Sequence, residues 1–279
     1  MKKLNFIIKY GLALLLLSFY SCESWLNVTP SDRLSEEMLF NDREGFVKAL
    51  NGVYIELNTN ELYGRNLTAG ALDVMGQYYS VASSSHAFYN YGGLVYTGND
   101  EKALFDNMWQ KCYAVIACCN TIIEKCDENK AGLSPVWRGS IKGEALALRA
   151  MLHFDMLRLF GPLTSELDKE SIPYQTNSDQ TVTPLLSGSE VVGLILDDLK
   201  NAVGLLKDTD PYFVEEEFSD TDLNYRRFRM NYFAAKGLMA RVQLWGGDKE
   251  KAAATAKEVI AEGQAEGAEF FPFVTNSEA

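Results

Sequence analysis

The segment from Gly139 to Pro162 constrains the fold more than any other, because its polar residues do not gather on one side of a helix. On a helical wheel Lys142, Arg149 and His153 form one narrow stripe, and Glu144, Asp155 and Arg158 form another opposite it. Two apolar stripes lie between them: Ile141, Leu148, Leu152 and Leu159 on one flank, Leu146, Ala150, Phe154 and Leu157 on the other. A surface helix of a two-layer domain needs only one apolar stripe. Two stripes predict a helix covered on both flanks, as in a stacked helical array. Gly161 and Pro162 end it, since proline cannot continue a helix and glycine suits the C-terminal cap.

Spacing predicts the other helices. From about Asp42 to Leu57, the residues Phe46, Leu50, Val53 and Leu57 recur at helical intervals. Leu67 to Tyr79 reads as a shorter helix, weakened by its glycines. From Leu104 to Cys126, a seam of Phe105, Trp109, Cys112, Ile116, Cys119, Ile123 and Cys126 alternates four and three apart, the pattern of a helix packed along a neighbour. A charged turn, Asp127–Pro135, joins it to the Gly139–Pro162 helix as a hairpin. Leu163–Gly188 is a long irregular connection with Pro173 and Pro184, after which Ser187 and Glu190 have capping-box spacing before a helix to about Leu206. Helices over Met230–Trp245 and Lys249–Gly263 meet at Gly246-Gly247-Asp248. There Ala240, Gly247, Ala252 and Ala256 occupy the small-residue positions of a tetratricopeptide-type pair; no second copy is clear, so any repeats are degenerate. The expected fold is all-α, a tetratricopeptide-like α-α superhelix with long irregular loops. Glu269–Ala279 carries no cap or terminal element, and a solenoid needs several repeats with a capping unit. The C-terminal part of such an array is therefore expected to be missing.

At the front, Lys2 and Lys3 precede an apolar run, Leu12–Leu17, then Ser18-Phe19-Tyr20-Ser21-Cys22. A positive start, a short apolar core and a small residue before the break make an export signal over residues 1–21. The run is too short to span a bilayer comfortably. Cys22 after Ser21 has the form of a bacterial lipoprotein site, with ordinary cleavage as the alternative; lipidation would anchor the protein without spanning. Residues 22–35 read as an extended tether and 36–279 as the helical body. Net charge is −12, and −15 without the three lysines of residues 1–21. Such an acidic body disfavours nucleic acid and anionic membrane surfaces. Cys112, Cys118, Cys119 and Cys126 fall on one expected helix, where seven residues rise about 10 Å, beyond disulfide or shared-metal reach. They read as core thiols. No metal site and no cofactor follow.

Two loops stand apart. Ser80–Asp100 has no period and mixes Ser, Gly and Asn with aromatic residues, as functional loops and plain surface loops both do. Thr209–Asp222 is acidic, but Glu215-Glu216-Glu217 lacks the alternating spacing of an EF-hand loop, so solvated surface is preferred to a calcium site.

Several motifs together resemble one known family. They are Ser21-Cys22 with Trp25-Leu26-Asn27-Val28-Thr29-Pro30, Ala49-Leu50-Asn51-Gly52-Val53-Tyr54, and Trp109…Tyr113…Ile116…Asn120. The most specific is Gly143-Glu144-Ala145…Leu148-Arg149-Ala150…Phe154…Leu157…Leu159-Phe160-Gly161-Pro162, followed by Asp198-Leu199…Ala202…Leu205-Leu206 and Ala240-Arg241-Val242…Leu244-Trp245. The chain thus resembles the SusD/RagB-like outer-membrane lipoproteins of Bacteroidetes over nearly its whole mature length. Here Gly161 meets Pro162 directly, whereas the family motif has a residue or two between them. The resemblance implies a tetratricopeptide-like scaffold at the outer membrane, lipid-anchored and facing the cell exterior. It also implies a TonB-dependent SusC-like barrel as partner and an oligosaccharide, or a peptide in RagB-like cases, as ligand.

Sugars present flat apolar faces edged with hydroxyls, which stacking aromatics with amide or carboxylate partners suit. Tyr78, Tyr79, His86, Phe88, Tyr89, Tyr91, Tyr96, Asn99 and Asp100 supply those groups, against the alternative that most of these rings pack on the scaffold. The resemblance places sugar contacts in this region without assigning individual positions. A protein-scaffolding helical lipoprotein is the competing reading. An enzyme is disfavoured: there is no G-x-S-x-G, no H-E-x-x-H and no phosphate-cradling glycine loop, and the only histidines are His86 and His153.

Overall fold

The structure, a computed structural model, describes residues 36–179, 181–214 and 217–264. The expected signal segment, Cys22 and the tether lie outside the described residues, as do Glu215, Glu216 and the C-terminal stretch. The chain divides between Leu39 and Phe40. Before that boundary a single turn, α1 (Glu36–Leu39), is described; all that follows concerns the unit after it.

This unit is helical, with one small ribbon. Asp42 accepts a hydrogen bond from the Gly45 amide to start α2 (Arg43–Leu57). Short helices α3 (Ala71–Met75) and α4 (Tyr89–Gly92) lead to α5 (Asn99–Glu128). Asn129, at φ 45°, closes α5 in the left-handed conformation that asparagine tolerates. Ser134 and Pro135 then start α6 (Pro135–Phe160). Strands β1 (Glu170–Pro173) and β2 (Leu185–Ser187) pair antiparallel, with Glu170 opposite Ser187 and Pro173 opposite Leu185 across an irregularity. Ser187 and Glu190 form the expected capping box of α7 (Gly188–Thr209). Helices α8 (Asp220–Arg226), α9 (Tyr232–Trp245) and α10 (Lys249–Gly263) complete the described chain, with Gly247 at φ +92° in the α9–α10 turn.

Helix α6 is the interior rod. It packs against α2, α5, α7, α9 and β1. Both apolar stripes are covered: Leu148 and Leu152 are 1% and 0% exposed, Phe154 and Leu157 2% and 0%. Its approach to α7 depends on two glycines one turn apart. A Cβ on Gly143 would stand 2.8 Å from Leu206 Cγ, and one on Gly139 2.5 Å from Thr209 Cγ2. Any side chain there would push the rods apart.

Both polar stripes are also largely interior, and each finds partners. On one, the Arg149 guanidinium grips Asp198 through Nε and Nη2, both at 2.7 Å, while Nη1 donates to Asn120 Oδ1 at 2.8 Å. Tyr174 donates to the same carboxylate at 2.6 Å. On the other, Glu144 accepts from Tyr54, Arg226 and Arg229, and Arg226 reaches on to Asp210. Burial alone would raise the Glu144 carboxyl, but Arg226 and Arg229 outweigh it and hold the group below the usual range.

The structure corrects four expectations. Helix α5 begins at Asn99 rather than Leu104, because its first turn is polar and acidic, which suits a helix N-terminus but carries no apolar period. The 163–188 connection holds the β1–β2 ribbon, too short for a readable alternation. Helix α8 occupies the end of the supposed acidic loop, started by a second capping box, Ser219 with Asp222. Finally, Cys118 is exposed, one step around the helix from the buried seam. Cys112, Cys119 and Cys126 are buried core thiols, and burial pushes all three thiols up.

His153 yields a pH prediction. Its Nδ1 faces the Arg149 carbonyl at 2.9 Å and so carries the proton, while Nε2 accepts the Gln175 amide at 3.0 Å. Both nitrogens are thus used by the neutral ring. Burial, with the Arg149 charge, pushes its pKa down to about 3. The unfolded chain takes up this proton below about pH 6.5 while the folded chain does not, so stability is full above that pH and falls with acidification. Urea unfolding is expected to show a loss of about 2 kcal/mol between pH 7 and pH 5, a slope that His153→Gln should abolish.

Candidate functional site

Helices α3, α4 and the first turns of α5 build a small second core. Ala71, Val74 and Tyr91 are buried in it, with Met75, Val81, Phe88, Tyr96, Leu104 and Phe105 packed around them. Tyr91 meets Phe88 and Phe105 edge-on at 5.8 and 5.9 Å, and Tyr96 meets Phe105 at 5.4 Å. Burial, with the carboxylates of Glu101 and Asp100 adding to it, pushes the Tyr91 hydroxyl up to about 12.

Two residues hold the loop in conformations that L side chains adopt rarely. Gln77 and Leu94 sit at φ 62° and 55°. The Gln77 amide repays this by donating to the Gly92 carbonyl at 3.0 Å and that of Val74 at 3.3 Å, which ties α3 to α4. Asn90 donates to buried Glu101 at 2.8 Å, tying α4 to α5. Locally disfavoured backbone held by surrounding bonds is common where a site needs a set shape.

Above this core opens a cavity of about 610 Å³ whose polar lining includes Arg65, Ser84, Ser85, His86, Asn90 and Asp100. His86 Nδ1 accepts the Phe88 amide at 3.1 Å, which in the neutral ring leaves the proton on Nε2. Arg65 lies 5.7 Å above the Phe88 ring and, among the described residues, spends only Nε, on Asn66 at 3.1 Å. The cavity therefore offers donors, hydroxyls and a carboxylate beside aromatic rings. Among the described residues no group of three or more His, Cys, Asp or Glu side chains is placed to hold a metal ion.

Of the sequence candidates, the structure brings His86, Phe88, Tyr91 and Asp100 to this cavity. Tyr91 is only 2% exposed and offers no free face; Phe88 and Tyr96 are half-buried. Tyr78, Tyr79 and Tyr89 project from the same region with 80%, 52% and 42% exposure and do not line the cavity. Asn99 stands exposed on the first turn of α5. Sequence reasoning missed Arg65, Ser84, Ser85, Asn90 and Glu101. The two serines lay within the flagged loop, whereas Arg65 comes from a turn some twenty residues upstream with no marking pattern.

Comparisons with known proteins agree with one another. A SusD-like family model, described as starch-binding associating with outer membrane, matches residues 24–244. SusD-like protein P2 of Formosa agariphila is 25% identical over 265 residues, 92% of this chain and 46% of that protein. A SusD-like protein of Bacteroides ovatus is 30% identical over 146 residues, 51% of this chain and 23% of its own. The solved SusD-like carbohydrate binding protein of Bacteroides vulgatus superposes with a TM-score of 0.66 at 23% identity, covering 85% of this chain and 47% of that one. A laminarin binding SusD-like protein gives 0.58 at 17% identity, covering 78% and 43%. The structural likenesses speak to the fold, and the chain spans less than half the length of each of these proteins.

The division of the rings into packed and free is open to measurement. Tyr91→Ala should cost about 3 kcal/mol or more in urea unfolding, as loss of a buried aromatic does. Tyr78→Ala and Tyr79→Ala should each stay within about 0.5 kcal/mol of the parent. A Tyr78→Ala cost matching that of Tyr91→Ala would place Tyr78 in the core instead.

Proposed function

The chain belongs to the SusD-like family of starch-binding proteins associating with the outer membrane, and from that membership we propose that it is a non-catalytic glycan-binding lipoprotein. In this reading Cys22 carries the lipid, the helical body faces the cell exterior, and it caps a TonB-dependent SusC-like transporter. The observation that supports glycan binding is the 610 Å³ cavity with a polar lining, in the same region as three exposed tyrosine rings. Rings of this kind stack on the apolar face of a pyranose while amides, hydroxyls and carboxylates take its hydroxyls. The acidic net charge argues for a neutral glycan, since a polyanion would meet repulsion. The solved relatives described as carbohydrate binding and laminarin binding favour the same ligand class.

Titration calorimetry with laminarihexaose and maltohexaose tests this reading. Binding should be saturable and nearly independent of salt, as for an uncharged ligand. Replacing Tyr78, Tyr79 and Tyr89 together by alanine should weaken it on the order of tenfold or more. No binding of either glycan would reject the assignment, and equal binding by the triple variant would reject these three rings as the site. For the anchor, Cys22→Ala should move the protein from the membrane fraction to the soluble one, because no acyl chain then holds it. Retention in the membrane fraction would count against lipidation.

A further inference from the structure

At the opposite end of α6 lies a second cavity, of about 480 Å³, between α2, the first half of α6 and α8. None of its lining residues belongs to the cavity described above. Phe160, at the far end of α6, touches Phe105 beside the first cavity, at 6.2 Å between ring centres. From Phe160 back to Glu144, at the second cavity, the rod runs about 24 Å.

The second cavity has unspent polar atoms. Ser140 is 5% exposed and lines the cavity. Arg229 gives Nε to Glu144 at 2.8 Å and Nη1 to Asn51 Oδ1 at 2.7 Å, which leaves Nη2 without an acceptor among the described residues. Asn51 keeps both its amide protons, since only its oxygen is engaged. Asp222 accepts from Ser219 through Oδ2, and among the described residues its Oδ1 accepts nothing. Donors and an acceptor therefore converge on one space. The aromatic component is as plain: Trp137 walls the cavity, while Tyr225 and Phe228 stand at its rim, 61% and 71% exposed.

We propose that this cavity is a second carbohydrate subsite, which takes a neutral pyranose unit between the Tyr225 and Phe228 rings and the Ser140, Asn51, Asp222 and Arg229 polar groups. It rests on the glycan-binding reading for its ligand class but on different residues. Charge selects a neutral ligand. Glu144 and Asp210 balance Arg226 and Arg229, so Asp222 is the carboxylate left over. An extended peptide finds no backbone edge here, because most of the lining sits on helices whose amides are bonded internally. An apolar helix laid across the cavity would leave the four polar groups dry and unpaired. A ligand with an apolar face and several hydroxyls satisfies both halves of the lining. The shape is held in advance, since the buried Glu144–Arg226 pair forms its floor. A glycan long enough to reach both cavities would also gain from a high effective concentration at the second once held at the first.

The Trp137 indole proton, which donates to the Glu217 carbonyl at 3.2 Å, is a reporter inside this cavity. Its NMR signal is identified by loss in Trp137→Phe. Laminarihexaose or maltohexaose should shift it saturably in the parent protein and in the Tyr78, Tyr79, Tyr89 triple alanine variant. Tyr225→Ala combined with Phe228→Ala should weaken that response at least about fivefold while binding at the aromatic loop persists. Binding that the triple variant abolishes, with the Trp137 signal unmoved throughout, overturns the second subsite and leaves the first. A Trp137 shift with the triple variant binding like the parent supports the second and rejects the first. No binding by either glycan removes both. A shift with N-acetyl-tryptophanamide but with neither glycan also overturns the proposal, in favour of a peptide-type ligand.

Discussion

A helix packed against several others leaves the charged side chains on its covered faces no water, and that constraint organises this molecule. Helix α6 carries Glu144, Arg149 and His153 into the interior at 2%, 6% and 0% exposure. Each must meet a partner whose geometry and charge match, because an unpaired buried ion costs far more than its pair returns. The partners come from other rods: Asp198 on α7, Asn120 on α5, Tyr54 on α2, and Arg226 and Arg229 around the end of α8. Replacing such pairs by apolar residues is often neutral for stability, so their contribution lies more in specificity. A slide of α7 by one turn, about 5.4 Å, would separate Arg149 from Asp198 and drive a side chain into Gly143. The ion pairs and the glycines therefore select the same register by independent means.

The same logic places the ribbon. The chain after β1 passes between α5, α6 and α7, and its polar groups close the bonds those helices leave open. Tyr174 reaches Asp198 and stacks on His153 at 3.9 Å, the Gln175 amide reaches His153, and Ser178 reaches Glu124. What reads in the sequence as an irregular connection thus sends Ile172 and Tyr174 into the interior, while Thr176, Asn177 and Asp179 stay exposed. Its irregularity follows from its task, because it must present donors and acceptors at positions set by three helices rather than by its own period.

Much of the scaffold was legible because it depends on local rules. Apolar spacing marked the rods, Ser187 with Glu190 marked the start of α7, and the double stripe marked α6 as interior. The partners of the polar stripes were not legible, since Arg149 and Asp198 are 49 residues apart and Glu144 and Arg226 82. Local pattern carries no information at that range. At the aromatic loop, composition separated Ser80–Asp100 from its surroundings but could not sort its rings. Tyr89 and Tyr91, two residues apart on one helical turn, point about 200° away from each other, so one faces water and the other the small core. That sorting needs the position of Phe105 on α5, a tertiary fact.

The two cavities lie where short helices meet long ones. In its middle α6 buries Leu148, Leu152 and Phe154 against its neighbours. The second cavity is bounded by α2, α6 and the short helix α8, and the first by the short helix α4 and the start of α5. A one- or two-turn helix buries too little to close a gap by itself, and it leaves aromatic side chains half in water. The residues that finish the packing there are Tyr, Phe, Ser and Asn, the types that also suit a hydroxyl-rich ligand with an apolar face. Both proposed binding surfaces thus arise where a one- or two-turn helix meets a longer one, α8 against α6 and α4 against α5.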